Sequence, residues 1–177
     1  LGLLIACSPQ QAAPTIAVPM ATPVAKQAPA AVPAAPVQIA APSDERAVID
    51  AYLGAINDHD AGQAGAMLDE HVHYFDAFSG QIQRDRTSAT EKVIAMYMNA
   101  VPDGHWEVRS EPAAGNGSIA YEWTFTGTNL GSWGGIGASG QKINLKGVSF
   151  VRIANGKIVY KADYFDTATL AKQMGWQ

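Results

Sequence analysis

The chain has 177 residues, with sixteen acidic side chains against twelve basic ones and a formal net charge of −4. That length allows one domain with a sizeable core. The acidic balance, without clustered Lys and Arg, argues against nucleic acid as a partner, and a single cysteine rules out an intrachain disulfide and a Cys-rich metal site.

The first residues, LGLLIACSPQ, place an apolar run and the small Ala6 directly before Cys7. This resembles the lipobox of a bacterial lipoprotein signal peptide, with Cys7 as the lipidated residue. The resemblance implies a signal-peptide remnant over 1–7, export, and anchoring to the bacterial cell envelope. Membrane contact would then run through acyl chains on Cys7, because so short a stub cannot cross a bilayer. Residues 8–42 hold eight of the ten prolines and one charge, Lys26. Proline removes backbone donors, and Ala and Pro offer too little apolar area for a core. The expectation is a disordered Pro/Ala-rich linker of polyproline II character, reaching about 3 Å per residue.

A domain is expected over 43–177. Ser43, Asp44 and Glu45 make a helix start, and Ala47, Val48, Ala51, Tyr52 and Ala55 follow at helical spacing to about Asn57–His59. A short helix is expected over Gly62–Leu68, a strand over 71–78, an exposed connection through SGQIQRD, and a second long helix from Thr87 to Asn99 that Pro102 and Gly104 stop. Strands follow at 105–112, 118–130, 142–153 and 157–166, the last two joined by Asn155-Gly156, a strong hairpin signal. A short helix closes the chain at Thr167–Met174. Helices first and a run of strands after them give an α+β domain.

The order of elements, with VPDGHWEV at 101–108 and the series GT-x-x-G, G-x-x-I, G-x-x-F and GKIV leading to an Asp, resembles the SnoaL-like polyketide cyclase group of the nuclear transport factor 2-like superfamily. The resemblance covers 43–177. It implies a conical barrel, a strongly curved mixed or antiparallel sheet wrapped around the N-terminal helices in the cystatin-like manner, and a homodimer. It also implies acid/base chemistry without metal or organic cofactor.

Asp163 sits in the middle of the last strand, sharing a face with Val159, Lys161 and Phe165. By resemblance it falls where the cyclases carry their catalytic acid/base. Read from the residues alone, it is either a cavity carboxylate or a rim residue paired with Lys161 or Lys142. Tyr74 and Asp76 lie two apart on the first strand and point the same way. They match positions that hold a water-binding tyrosine and amide in limonene epoxide hydrolases, so they join Asp163 as catalytic candidates. Two carboxylates in one apolar cavity raise the pKa of one of them, by desolvation and by mutual repulsion. The alternative for Asp76 is a cap at the strand end.

Tyr121, Trp123 and Phe125 alternate along one strand and, with Lys161 and Met96, are the candidate ligand-binding residues, suited to a small hydrophobic molecule. The arginine and second aspartate of the epoxide hydrolases are absent at Trp123 and Phe125, which argues against epoxide opening. His71 and His73 have the spacing of a metal pair but lie on the parity opposite to Tyr74 and Asp76, and no metal is expected. The glycine-rich SWGGIGASGQ (132–141) reads as a mobile hairpin tip that presents Trp133. Two function classes stay open: an envelope enzyme of isomerase, cyclase or hydrolase type, and a non-catalytic protein that binds a small apolar ligand or serves an accessory envelope role.

Overall fold

The computed structural model describes residues 44–176. The lipobox with Cys7, the linker over 8–42 and the helix start at Ser43 lie outside the described residues.

Helix α1 (Asp44–Asn57) carries Asp44 and Glu45 in its first turn, where carboxylates complement the helix dipole, and buries Ile49, Tyr52, Leu53, Ala55 and Ile56 along one stripe. Helix α2 (Ala61–Ala66) is capped by Asp60, whose carboxylate accepts the Gln63 N–H at 2.8 Å. Strand β1 (Leu68–Asp76) begins earlier than the sequence reading placed it: Leu68, fully buried, already pairs opposite Ile158. The connection expected to be exposed folds back as a short strand, β2 (Gln81–Gln83), on β1.

The expected second helix is present but interrupted. It runs as α3 (Arg86–Ala89), a π-helical stretch Thr90–Ile94, and α4 (Ala95–Ala100). Strands β3 (His105–Val108), β4 (Ala113–Gly115), β5 (Ser118–Thr128), β6 (Lys142–Ala154) and β7 (Lys157–Phe165) follow, and α5 (Thr167–Met174) closes the domain behind its Asp166 cap. Asn155 and Gly156 both have positive φ, 52° and 70°, as a two-residue hairpin demands. Asn116-Gly117 makes the same turn between β4 and β5, at 53° and 72°. The sequence reading passed over that second Asn-Gly pair.

All strands share one mixed sheet in the order β2-β1-β7-β6-β5-β3, with β4 pairing a further stretch of the same β5 edge as β3. Only β1 and β7 run parallel. This corrects the expected conical barrel and strongly curled sheet. β2 and β3 stand at opposite ends of an open path and do not pair, so the sheet neither closes nor wraps around the helices. Among the described residues no helix is long and apolar enough to cross a membrane.

The core lies between the helices and one sheet face. β5 contributes Ile119, Tyr121, Trp123 and Phe125 to it, and β6 contributes Ile143, Leu145 and Val151, at the two-residue period of a half-buried strand. In β7 the period breaks. Arg152 pairs with Tyr160 but Ile153 pairs with Ile158, leaving Val159 as the extra residue of a bulge. The shift puts Ile158 on the same buried side as Lys161 and Asp163, although they differ in parity.

Candidate functional site

Three neighbouring strands aim polar side chains at the helix-covered side of the sheet. β1 brings Tyr74 and Asp76, β7 brings Lys161 and Asp163, and β6 brings Ser149, all buried. Asp76 and Asp163 are register partners on the parallel pair, and Ser149 is the partner of Asp163 on the other side.

Asp163 is the hub. Its Oδ2 accepts the Tyr74 hydroxyl at 2.7 Å, and its Oδ1 accepts the Ser149 hydroxyl at 2.5 Å and the Lys161 ammonium in a buried ion pair. Ser149 in turn accepts the Trp123 indole N–H at 2.9 Å and lies 3.4 Å from the Lys161 Nζ. Gly147, the cross-strand partner of Trp123, makes this possible: a Cβ there would clash with the edge of the indole ring and with the Tyr164 carbonyl oxygen. Tyr52 of α1 extends the chain, its oxygen 3.3 Å from that of Tyr74. Because the Tyr74 proton is committed to Asp163, Tyr52 is the donor of that bond. The Lys161 ammonium also lies over the ring faces of Tyr74 and Tyr52, 5.1 and 5.6 Å from their centroids.

Asp163 therefore joins the two alternatives left open by the sequence: it is a cavity carboxylate and it is paired with Lys161. Asp76 is held separately. Its Oδ1 accepts the Tyr97 hydroxyl at 2.7 Å and its Oδ2 the Ser79 N–H at 2.9 Å, which makes it a buried cap at the end of β1. The two carboxylates are neighbours across the parallel pair, and each has its own hydrogen-bond donors.

A cavity opens in front of this network. Its sheet wall is Tyr74, Tyr121, Phe125, Ser149, Lys161 and Asp163, and its helix wall includes Leu53, Ile56, Ile94, Met98 and Val101. Half-buried His59 and Trp106 stand on the solvent side. Trp106 is fixed there by Asn57, whose side chain accepts its N–H at 2.8 Å and donates to its carbonyl at 3.0 Å, while its ring stacks on Phe125 at 4.6 Å. The open space is about 30 Å³, room for about two waters.

Trp123 and Met96 do not line the cavity. Trp123 serves behind it as the donor to Ser149. Met96 falls off the helical stripe Ile94–Tyr97–Met98, a placement its spacing already carried. Sequence reasoning missed Tyr52, Ser149, His59 and Trp106. Ser149 was legible as the one hydroxyl on the inward parity of β6, and Tyr52 as the polar-tipped residue of the α1 stripe. His71 and His73 are exposed on the opposite parity of β1, and among the described residues no group of three His, Cys, Asp or Glu is placed to hold a metal.

The family model described as SnoaL-like polyketide cyclase matches residues 46–174. The chain belongs to the SnoaL-like polyketide cyclase family. Solved structures of the same fold include TsrD from Streptomyces laurentii, 19% identical with a TM-score of 0.65, covering 76% of this chain and 96% of that one. TerC co-crystallised with polyporic acid is 16% identical, with a TM-score of 0.62 over 75% of this chain and 98% of that one. An NTF2-like protein of unknown function from Burkholderia pseudomallei K96243 is 19% identical, with a TM-score of 0.62 over 75% and 98%. No curated protein matches the sequence at comparable strength.

This SnoaL-like domain holds its protons tightly. Burial lifts the phenols of Tyr52, Tyr74, Tyr97 and Tyr121 above their ordinary 10.0, with the charge of Asp163 adding to it at Tyr74 and that of Asp76 at Tyr97. Burial alone would lower the Lys161 ammonium from 10.5, but the charge of Asp163, backed by Tyr121 and Tyr52, outweighs it and the net shift is upward. Each group is more easily deprotonated in the unfolded chain. Their stabilisation is thus fully present below about pH 10 and lost as pH rises further. Urea unfolding is expected to give a level free energy through neutral pH and a decline above about pH 10, less steep in Tyr52→Phe. A profile level to about pH 11.5 would contradict the buried network.

Proposed function

We propose that the chain catalyses cofactor-independent proton transfer, of isomerase or cyclase type, on a small and largely apolar carbonyl compound, with Asp163 as the base. The observation that carries this reading is one carboxylate facing an aromatic- and aliphatic-walled cavity with a lone pair to spare. Three donors occupy three of the roughly four acceptor sites of Asp163. The remaining site on Oδ2 can take a proton from the carbon next to a carbonyl. The C–H electron pair then becomes the enolate double bond and the carbonyl oxygen takes the charge. Return of the proton to a different carbon completes an isomerisation. Attack of the enolate carbon on a second carbonyl, with the proton delivered to the resulting alkoxide, completes a ring closure. Membership of the family supports the reaction class, and the polyporic acid held by TerC supports a ring-bearing, oxygenated ligand.

A second reading, non-catalytic binding of a small apolar ligand, is favoured by the extent to which Asp163 is already occupied. Deuterium exchange separates the two. In heavy water, 2-tetralone should lose its acidic α-hydrogens faster with the protein than with buffer, followed by proton NMR. Asp163→Asn should cut the enzymatic excess by about 10²-fold or more. If tetralone binds and exchanges only at the buffer rate, the binding reading takes its place. The homodimer implied by the family likeness belongs to the same proposal, with the outer sheet face as its surface, where Val148, Phe150 and Tyr164 stand exposed.

A further inference from the structure

One polar group in the cavity has no structural task. The Tyr121 hydroxyl is buried on the sheet wall and faces Ser149 and Lys161 without a hydrogen bond of good geometry to either. A buried donor left unused is unfavourable to the fold, and its neighbours are already committed: Ser149 gives its proton to Asp163, and Lys161 gives one to Asp163 and approaches Ser149 with another. Lys161 has three protons, so one remains, over the faces of Tyr52 and Tyr74. Two donors, one neutral and one cationic, thus stand unspent on one wall of the cavity that also holds the base.

We propose that Tyr121 and Lys161 together bind the substrate oxygen as it becomes negatively charged, so that the site selects compounds whose enol or phenol oxygen reaches the sheet wall beside Asp163. This rests on the proton-transfer reading above. Charge conservation carries it. At rest the cavity holds Lys161 positive, Asp163 negative and a neutral substrate. Once Asp163 has taken the proton, it is neutral and the substrate oxygen is negative, with Lys161 still positive. The sum is zero in both states, and the ammonium turns its remaining proton to the new oxyanion while Tyr121 supplies the second donor. A dry site with fixed donors at the developing charge lowers the barrier without bringing an unpaired ion into the interior.

The probe is 4-nitrophenol, whose ionised form is read by its absorbance. In Asp163→Asn the Lys161 charge lacks its partner, and the phenolate oxygen takes the carboxylate's place. We expect saturable phenolate binding about tenfold or more tighter than to the wild-type chain, reduced about tenfold when Tyr121→Phe is added. In the otherwise native chain, Tyr121→Phe should slow tetralone exchange about tenfold while leaving tetralone affinity unchanged, because a neutral ketone gains less from the donor than an enolate does. Its melting temperature should stay level or rise, since the lost hydroxyl had no partner. This arm holds however well Asp163→Asn folds. Equal phenolate affinity with and without the Tyr121 hydroxyl, or no saturable phenolate binding at all, overturns the inference. Exchange at the buffer rate together with Tyr121-dependent phenolate binding overturns the proton-transfer reading alone and leaves an oxyanion-binding cavity.

Discussion

Lys161→Met should destabilise the fold by about 3–5 kcal/mol at neutral pH, because it strands the buried Asp163 carboxylate without its counter-ion. Both side chains of the pair are nearly inaccessible, at 4% and 8% exposure, so little solvent screening softens the loss. Asp163→Asn alone should also be costly, since it strands the ammonium. The double variant Lys161→Met/Asp163→Asn should recover a good part of either loss, as the single Asn carbonyl can still accept from one of Tyr74 and Ser149 while its amide donates to the oxygen of the other. Urea unfolding of the four proteins measures the coupling directly. A cost below about 1 kcal/mol for Lys161→Met would put the pair in the class of solvated surface bridges, and the site described above could not stand. The sign matters as much as the size. Two repelling carboxylates, the arrangement expected from the sequence, would make the removal of one charge neutral or stabilising.

Trp133→Ala should cost about 3–5 kcal/mol, a drop of the order of 10 °C or more in melting temperature for a domain of this size. Trp133 is fully buried, and its ring lies 4.8 Å from Tyr97, 5.8 Å from Phe78, 6.2 Å from Trp176 and 6.4 Å from Phe125, centroid to centroid. The indole N–H has no acceptor, so Trp133→Phe removes packing alone and should cost about 1–2 kcal/mol. The loop that carries Trp133 is fastened by Asn129, which donates to the carbonyls of Ala100 and Gly131 and accepts the Ser139 N–H at 2.7 Å. With the ring gone, limited proteolysis should cut between Gly131 and Gly140. A loss of only a degree or two would return this segment to the mobile tip that its glycines suggest.

How much of this was legible can be followed residue by residue. The alternation of Tyr121, Trp123 and Phe125 and the Asn155-Gly156 turn are local physics, and the fold agrees with them. Of the helical stripe read at Ala47, Val48, Ala51, Tyr52 and Ala55, it buries Tyr52 and Ala55 and leaves Ala47 and Ala51 exposed. Burial of Tyr74, Asp76 and Asp163 followed from parity once one face was known. Three things were beyond local pattern. The bulge at Val159 adds one residue to β7, and a two-residue period cannot anticipate where it changes phase. The glycine-rich stretch looked free because its composition disfavours regular structure, yet one indole and one asparagine side chain fix it through contacts far away in sequence. Closure of the sheet was inferred from resemblance, whereas closure depends on whether β2 and β3 meet, which no single strand encodes. The partnership of Lys161 with Asp163 needed only a choice between alternatives already in view, and the buried positions of Ser149 and Tyr74 decide it.

The cavity has room for about two waters, and this has a kinetic consequence. A ring-sized ligand cannot enter until Met98, Trp106 or their neighbours move aside, so entry waits on a breathing motion that the protein makes by itself. Under that regime the observed association rate stops rising with ligand concentration and levels off at the opening rate, below the diffusion limit however strongly the polar wall attracts its guest. Departure is gated in the same way. A molecule once enclosed would leave no faster than the cavity opens.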